Sequence, residues 1–133
     1  MEAMRLRILL PTQVLVDASV DKVVAEAENG SFGLLPRHID VVTALVPGIL
    51  AYVDSDGRQQ LVGIDEGILV KCGDEVRVAT GRAIRGTNLA TLKREVERWF
   101  LEMDEQAAIA RTAMARLEAG VVRRFTELRQ RTP

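Results

Sequence analysis

Hydrophobic residues occur in short stretches along the first two thirds of this chain, and polar or turn-forming residues separate them. Strands are predicted at residues 4–10, 14–16, 20–28, 39–46, 49–53, 60–64, 67–72 and 76–80. About eight to ten short strands at this spacing are typical of an antiparallel sandwich or barrel. The pattern therefore predicts an all-β module at the front of the chain.

Glycine marks the turns between these strands and then almost disappears from the sequence. Nine of the ten glycines lie at or before Gly86. Hairpins are predicted at 54–57 and 72–74, because glycine tolerates the positive φ of a tight turn. The chain thus changes near Gly86 from many short elements to long ones. We expect a β domain over residues 1–86 and a helical domain over residues 87–133.

Beyond Gly86 the hydrophobic period becomes helical, and Asn88 is the predicted N-cap. The first apolar stripe consists of Leu89, Leu92, Val96, Trp99 or Phe100, and Met103. The second stripe consists of Ala107, Ala110, Met114, Leu117, Val121, Phe125 and Leu128. The stripes meet near residues 103–106, where neither glycine nor proline forces a break. A helical hairpin and a single long helix are therefore both compatible with the residues.

Composition favours a globular protein with a basic C-terminal segment. The net charge is −1, but residues 107–133 carry six arginines and two glutamates, a net charge of +4 (6 − 2). This asymmetry predicts an acidic partner, which by charge alone is a protein, a phosphate or a nucleic acid. Aromatic residues are not interleaved with the arginines, and no recognised nucleic-acid-binding motif is present, so nucleic acid is disfavoured.

The sequence contains neither a membrane span nor a secretion signal. No apolar run reaches the roughly 18 residues that cross a bilayer, and the N-terminus has no signal-peptide core. Cys72 is the only cysteine, so a disulfide framework is excluded and a reducing compartment is expected.

No catalytic or cofactor-binding pattern emerges from the residues. His38 is the only histidine, and neither a nucleophile with its base nor a metal-ligand spacing surrounds it. The Gly30-Ser31-Phe32-Gly33 segment lacks the Lys-Ser/Thr ending of a phosphate-binding loop. We therefore expect a protein that is not an enzyme and that holds no metal and no cofactor.

Several motifs together resemble the epsilon subunit of bacterial F-type ATP synthases, the counterpart of the mitochondrial delta subunit. The matching segments, in chain order, are Met4-x-Leu6-x-Ile8-x-x-Pro11, Gly30-Ser31-Phe32-Gly33-Leu34-Leu35-Pro36-Arg37-His38-Ile39-Asp40, Thr43-Ala44-Leu45-Val46-Pro47-Gly48, Gly67-Ile68-Leu69-Val70, Val76-x-Val78-Ala79 and Ala83-Ile84-Arg85-Gly86. The resemblance covers the whole chain, and the segment 30–40 is its most specific part.

The resemblance implies a fold of an N-terminal antiparallel β-sandwich followed by a C-terminal two-helix hairpin. It also implies a non-catalytic rotor subunit in the central stalk, which couples the c-ring to the gamma subunit and restrains ATP hydrolysis. Such a subunit lies peripherally at the cytoplasmic face of the bacterial inner membrane and meets the membrane only through the complex.

Contact residues follow from the same resemblance, by match of position. The polar loops of the c-ring would be contacted by Ser31, Phe32, Arg37, His38, Ile39 and Asp40. The gamma subunit would be contacted by Val42, Thr43, Arg82 and Arg85. An acidic segment of the catalytic beta subunit would be contacted by an inhibitory helix through Arg111, Arg116, Arg123 and Arg124.

The sequence also departs from the family pattern. Arg37 and Asp40 stand where the family favours Gly and Pro. The regulatory ATP motif of some family members, (I/L)-D-x-x-R-A, is degenerate here at Leu89, Ala90, Lys93 and Arg94. We therefore expect no ATP binding at that position. The Trp99-Phe100 pair and the diverged hinge resemble the second, N-type ATPase branch of some bacteria.

Two other classes of protein fit parts of the sequence. A stand-alone β-sandwich with a ligand pocket gated by a helical hairpin would show the same division of elements. A nucleic-acid-binding protein with a basic helix fits only the C-terminal charge.

Overall fold

The computed structural model describes residues 3–86 and 88–131. In these residues, nine strands precede one helix: β1 Met4–Leu9, β2 Val14–Ala27, β3 Gly30–Leu34, β4 Val41–Leu45, β5 Gly48–Asp54, β6 Gln59–Ile64, β7 Gly67–Cys72, β8 Glu75–Thr80, β9 Ala83–Arg85 and α1 Leu89–Arg131. Across this described part, no helix is both long enough and apolar enough to span a membrane.

The long strand β2 connects the two halves of a β-sandwich. Its first half pairs with β1, and its second half pairs with β5 on one side and β3 on the other. From β1 the sheet continues through β8 and β7 to β4, and from β5 it continues through β6 to β9. This arrangement confirms the predicted β-sandwich.

One pairing corrects the antiparallel prediction, because β1 and β8 run parallel, with Leu6 opposite Val76 and Ile8 opposite Val78. Parallel neighbours need a long crossover connection. Here the chain between them forms six other strands, so the pairing has no local signal in the sequence.

The core lies between the two halves and is built from alternate residues of the strands. Leu6, Val23, Leu50, Val62 and Leu69 are almost fully buried in it. Successive side chains of a strand point to opposite faces, so their neighbours in sequence are available for surface contacts.

Both predicted hairpins are confirmed by the backbone. Gly57 has a φ of 80° in the turn between β5 and β6, and Gly73 has a φ of 62° between β7 and β8. The second turn has two residues, Gly73 and Asp74, because Cys72 pairs with Glu75. Positive φ at the first of two turn residues is the geometry of a type II′ hairpin, which favours glycine there.

The helical region differs from the prediction, because α1 is continuous from Leu89 to Arg131. The two-helix hairpin is therefore wrong for this structure. Residues 103–106, Met-Asp-Glu-Gln, contain neither glycine nor proline, and a helix loses little free energy by continuing through them. Asn88 is confirmed as the N-cap, since its Oδ1 accepts the N–H groups of Ala90 and Thr91 at 3.0 and 3.4 Å.

The chain divides into two compact units, residues 1–100 and 101–133. The first unit contains the sandwich and the first three turns of α1. Leu92, Val96 and Trp99, spaced by four and three residues, are its buried helical side chains. Most of the large apolar side chains described in the second unit are exposed, among them Ile109, Leu117 and Phe125, whereas Met103 is half-buried. The domain boundary at 86/87 itself stays a prediction.

Candidate functional site

The segment 30–40, which carries the most specific motif, is half strand and half loop. Residues 30–34 form β3, where the sequence predicted no strand, and they pair with Val23–Ala27 of β2. Beyond β3 the chain turns back, and the His38 N–H donates to the Leu35 carbonyl at 2.9 Å. The loop that follows β3 is named here the 35–40 loop.

The predicted c-ring residues are mostly exposed along this segment. Ser31, Arg37, His38 and Asp40 are exposed, and Ile39 is 78% exposed although it is apolar. Phe32 is the exception, since its ring is half-buried against the core. That packing holds β3, which carries Ser31 and leads into the 35–40 loop with the other exposed side chains.

Lys71, a buried residue that the sequence analysis did not single out, forms a hydrogen bond to the 35–40 loop. The Lys71 Nζ on β7 donates to the His38 carbonyl at 2.7 Å and to the Gly73 carbonyl at 2.5 Å. The Gly73 N–H in turn donates to Asp40 Oδ1 at 2.8 Å. The period of two residues in β7 places Lys71 on the same face as buried Leu69, and this signal was available in the sequence.

The predicted gamma contacts fall in two parts of the sheet. Val42 and Thr43 lie on β4, whereas Arg82 and Arg85 lie at β9, and β2, β5 and β6 separate the two strands in sheet order. Val42 and Thr43 are adjacent on β4, so their side chains point to opposite faces of that strand. Neither of them lies on a strand that pairs with β9.

Around Val42 the outer surface of the sheet is apolar. Val42 is 69% exposed, and Ile68 on β7 is also exposed between Ala44 of β4 and Ala79 of β8. The outer apolar strip is defined by these four residues, Val42, Ala44, Ile68 and Ala79. Exposed contiguous apolar surface of this kind marks sites of protein association.

Arg82 and Arg85 already have partners inside the protein. The Arg82 Nε donates to Asp65 Oδ2 at 2.7 Å, and its guanidinium carbon lies 5.1 Å from the centroid of the Trp99 ring. A guanidinium nitrogen of Arg85 donates to the Tyr52 hydroxyl at 3.4 Å. These arginines therefore help to hold the exit from the sandwich into α1.

The degenerate ATP motif lies on the first turns of α1. Leu89, Ala90, Lys93 and Arg94 are all exposed there. None of these four side chains provides a carboxylate, and the first turn of the helix contains no acidic residue.

Residues 101–131 of α1 are named here the second part of the helix. The four arginines of the predicted inhibitory helix are exposed on it. They are Arg111, Arg116, Arg123 and Arg124. The same segment exposes Ile109, Met114, Leu117 and Phe125. This helix therefore offers both positive charge and apolar surface.

A network of ion pairs crosses the outer face of β1, β2 and β8. Arg5 donates to Asp17 at 2.7 Å, and this hydrogen bond lowers the pKa of Asp17. Arg77 donates to Glu75 at 2.9 Å and lowers the pKa of Glu75. Both carboxylates are open to solvent, so these pairs contribute little to stability at high ionic strength. In residues 3–86 and 88–131, no group of three or more His, Cys, Asp or Glu side chains is arranged to hold a metal ion.

Comparison with known proteins defines the class of this chain. The family model of the β-sandwich domain of the ATP synthase delta/epsilon chain matches residues 3–86. The chain belongs to this family of ATP synthase delta and epsilon chains. Because the chain belongs to this family, we prefer the ATP synthase subunit to the two alternative classes, the stand-alone ligand-binding module and the nucleic-acid-binding protein.

Two relatives extend the similarity over the helix as well. The "ATP synthase epsilon chain 2" of Paraburkholderia xenovorans is 33% identical over 124 residues, which cover 92% of this chain and 89% of the relative. The protein of the same name from Cereibacter sphaeroides is 32% identical over 133 residues, which cover 98% of this chain and 91% of the relative.

Solved structures of ATP synthases contain chains with a similar fold. A chain of the Euglena gracilis mitochondrial ATP synthase (OSCP/F1/c-ring) aligns with a TM-score of 0.62 at 20% identity, covering 74% of this chain and 64% of that chain. A chain of the central stalk and c-ring of the Tetrahymena thermophila mitochondrial ATP synthase aligns with a TM-score of 0.55 at 11% identity, with 75% and 95% covered. At these identities the comparison shows the fold.

Proposed function

We propose that this chain is the non-catalytic epsilon subunit in the central stalk of an F-type ATP synthase. In this role it couples the c-ring to gamma and restrains ATP hydrolysis through its C-terminal helix. The observation that carries the proposal is the family match over the whole sandwich, together with relatives named epsilon chain that cover the helix too. The shared name "epsilon chain 2" supports the second ATPase branch.

The 35–40 loop, together with Ser31 and Phe32 of β3, is the proposed c-ring face. Arg37, His38 and Asp40 supply polar groups for the polar loops of the ring, and the exposed Ile39 supplies an apolar contact at the centre of the segment. A mixed surface of this kind, with an apolar centre and a polar rim, suits a protein interface.

The outer apolar strip, on β4, β7 and β8, is the proposed gamma face. Thr43 adjoins it on β4, with its side chain on the opposite face of that strand. Val42 and Ile68 lose their exposed apolar area when gamma covers them, at about 25 cal/mol per Å² buried. Arg82 and Arg85 would form a second, smaller contact, in which their exposed guanidinium groups add specificity.

The second part of α1 is the proposed brake on hydrolysis, which contacts an acidic segment of the beta subunit. Exposed ion pairs contribute only about 0–1 kcal/mol each. Moving a two-state element from mostly one state to mostly the other takes roughly 5 kcal/mol of differential binding. The exposed apolar side chains of the helix can supply this free energy on burial, and the arginines Arg111, Arg116, Arg123 and Arg124 add steering and register.

ATP is not a ligand of the helix start in this proposal. Ala90 removes the carboxylate and Lys93 the arginine of the regulatory motif. Calorimetric titration of the full chain with ATP is expected to give no binding heat, and a low-micromolar affinity would refute this. By the same proposal the subunit lies at the cytoplasmic face of the bacterial inner membrane, held there by the complex.

The testing experiment compares two lengths of the chain in a reconstituted head complex. The shorter form ends at Phe100, because the buried Leu92, Val96 and Trp99 belong with the sandwich. The complex with the shorter form is expected to hydrolyse ATP faster while binding of the chain to gamma is unchanged. Equal rates of ATP hydrolysis with the two forms would show that the second part of α1 does not inhibit hydrolysis. A full chain that does not bind gamma would refute the rotor role.

A further inference from the structure

Lys71 is a charged residue in a position that the strand pattern reserves for the core. It is 2% exposed, and it pairs with Val41 in one ladder and with buried Val76 in the other. Lysine is almost never fully buried unless its charge has partners, because desolvation of an ammonium group is costly. We therefore attribute the presence of a lysine at this buried position to the hydrogen bonds that its ammonium group forms, and not to the packing of its side chain.

Those hydrogen bonds connect two segments that are 33 residues apart in sequence. The ammonium of Lys71 holds the carbonyl of His38 in the 35–40 loop and the carbonyl of Gly73 in the β7–β8 turn. Asp40 completes the connection from the loop side by accepting the Gly73 N–H. Both backbone groups of Gly73 are thus bound by charged side chains, and such hydrogen bonds are roughly twice as strong as neutral ones.

The 35–40 loop needs this support because it lies outside the strand ladders. Between the end of β3 and the start of β4 the chain is exposed except for half-buried Pro36. Local hydrogen bonds within it run from the His38 N–H to the Leu35 carbonyl and between the His38 Nδ1 and the carbonyl of the next residue, Ile39. Asp40 stands where the family pattern favours proline. Proline restricts a loop by fixing φ, whereas Asp40 restricts this loop by binding a neighbouring turn.

We propose that Lys71 is a positioning residue, which acts with Asp40 to fix the surface formed by Arg37, His38 and Ile39. This inference rests on the proposed function, in which that surface faces the c-ring. In that case Lys71, which lies inside the sandwich and does not itself contact the c-ring, determines the geometry of the contact between the 35–40 loop and the c-ring.

The first experiment measures amide hydrogen exchange in the full chain carrying Lys71→Met. Methionine fills a similar volume but cannot donate to the two carbonyls. The Gly73 and His38 amides are expected to exchange at least about tenfold faster, as for the loss of one charge-assisted hydrogen bond, while the Leu69 and Val78 amides stay protected. Lys22→Met, at an exposed lysine of β2, is the matched control and is expected to change neither amide.

A second variant approaches the same network from the exposed side. Asp40→Ala removes the acceptor of the Gly73 N–H without touching the core, so it keeps the test valid if Lys71→Met does not fold. It is expected to accelerate exchange of the same two amides. Unchanged exchange in the folded variants would overturn the positioning role.

The functional readout is the number of ions pumped per ATP hydrolysed by the assembled synthase. Wild type is expected to restore this coupling ratio to a complex that lacks the subunit, and Lys71→Met to lower it at unchanged binding to gamma. If wild type fails to restore coupling, the proposed function is refuted. If wild type restores it and the loosened variants couple equally well, the positioning inference is overturned and the proposed function stands.

Discussion

The guanidinium carbon of Arg82 lies 5.1 Å from the centroid of the Trp99 ring, and the Nε of the same group donates to Asp65 at 2.7 Å. One side chain thus joins the turn after β6, the segment between β8 and β9, and the third turn of α1. A cation over an aromatic face contributes about 0.5–2 kcal/mol. The start of α1 is therefore held to the sandwich as far as Phe100, and the regulatory part that we propose begins at residue 101.

The docking of α1 predicts that Leu92→Ala destabilises the sandwich unit. Leu92 is 1% exposed, and its Cδ2 lies 3.5 Å from where a Cβ on Gly63 would be. The loss of a buried leucine costs about 2–5 kcal/mol in the free energy of unfolding. Urea unfolding followed by the fluorescence of Trp99, the one tryptophan of the sequence, measures it.

Leu117→Ala is the matched control for this prediction, because Leu117 is 65% exposed on the second part of the same helix. Its free energy of unfolding is expected to stay within about 0.5 kcal/mol of wild type. Equal effects of the two substitutions would contradict the docking of residues 89–100.

The close approach of β7 and β8 predicts that Gly67→Ala is destabilising. A Cβ on Gly67 would lie 2.2 Å from the backbone oxygen of Ala79, which cannot move without shifting β8. Overpacking of this kind costs about 1–3 kcal/mol. Gly81→Ala is the control, since a Cβ there meets no atom within 4 Å. Thermal unfolding that ranks the two variants equally would contradict this account.

The turn between β5 and β6 predicts an acid-dependent part of the stability. The Asp54 carboxylate accepts the backbone N–H groups of Arg58 and Asp56, and these hydrogen bonds, that from Arg58 first, lower the pKa of Asp54. Because the folded pKa lies below the unfolded value of about 3.9, the stabilisation is complete above that pH. It is lost as the pH falls through the folded pKa.

Asp54→Asn tests this dependence, since asparagine keeps an acceptor oxygen and does not titrate. The difference in the free energy of unfolding between wild type and variant is expected to be largest near neutral pH and to shrink below about pH 4. Urea unfolding at a series of pH values measures it. A difference that stays constant with pH would exclude the carboxylate as its source.

The exposed arginines of α1 predict faster hydrolysis when four of them are removed. Replacing Arg111, Arg116, Arg123 and Arg124 with alanine is expected to raise the ATPase rate of the assembled complex several-fold, because each exposed pair contributes about 0–1 kcal/mol. Lys93→Ala with Arg94→Ala removes exposed charge from the first turns of α1 and is expected to leave the rate unchanged. An unchanged rate in the fourfold variant would count against an inhibitory role of these arginines.

Local sequence determined those features of this protein that depend on near neighbours. The positive φ values of Gly57 and Gly73 follow from the need of tight hairpins for glycine, and the N-cap at Asn88 follows from its short acceptor side chain. Alternation within β1 and β7 likewise predicts which side chains face the core. The motifs along the chain, of which residues 30–40 are the most specific, were together sufficient to recognise the family.

The tertiary structure decided what depends on distant residues. Gly30-Ser31-Phe32-Gly33 has weak strand propensity, and it becomes β3 only because β2 offers it a hydrogen-bonding edge. The parallel pairing of β1 with β8 is likewise decided by closure of the sheet. Lys71 is tolerated inside because two carbonyls from separate loops converge on its ammonium. Residues 103–106 allow both one helix and two, because no residue there forces a break. The choice is made by the contacts of the apolar side chains, and in this structure most of them are exposed on one continuous helix.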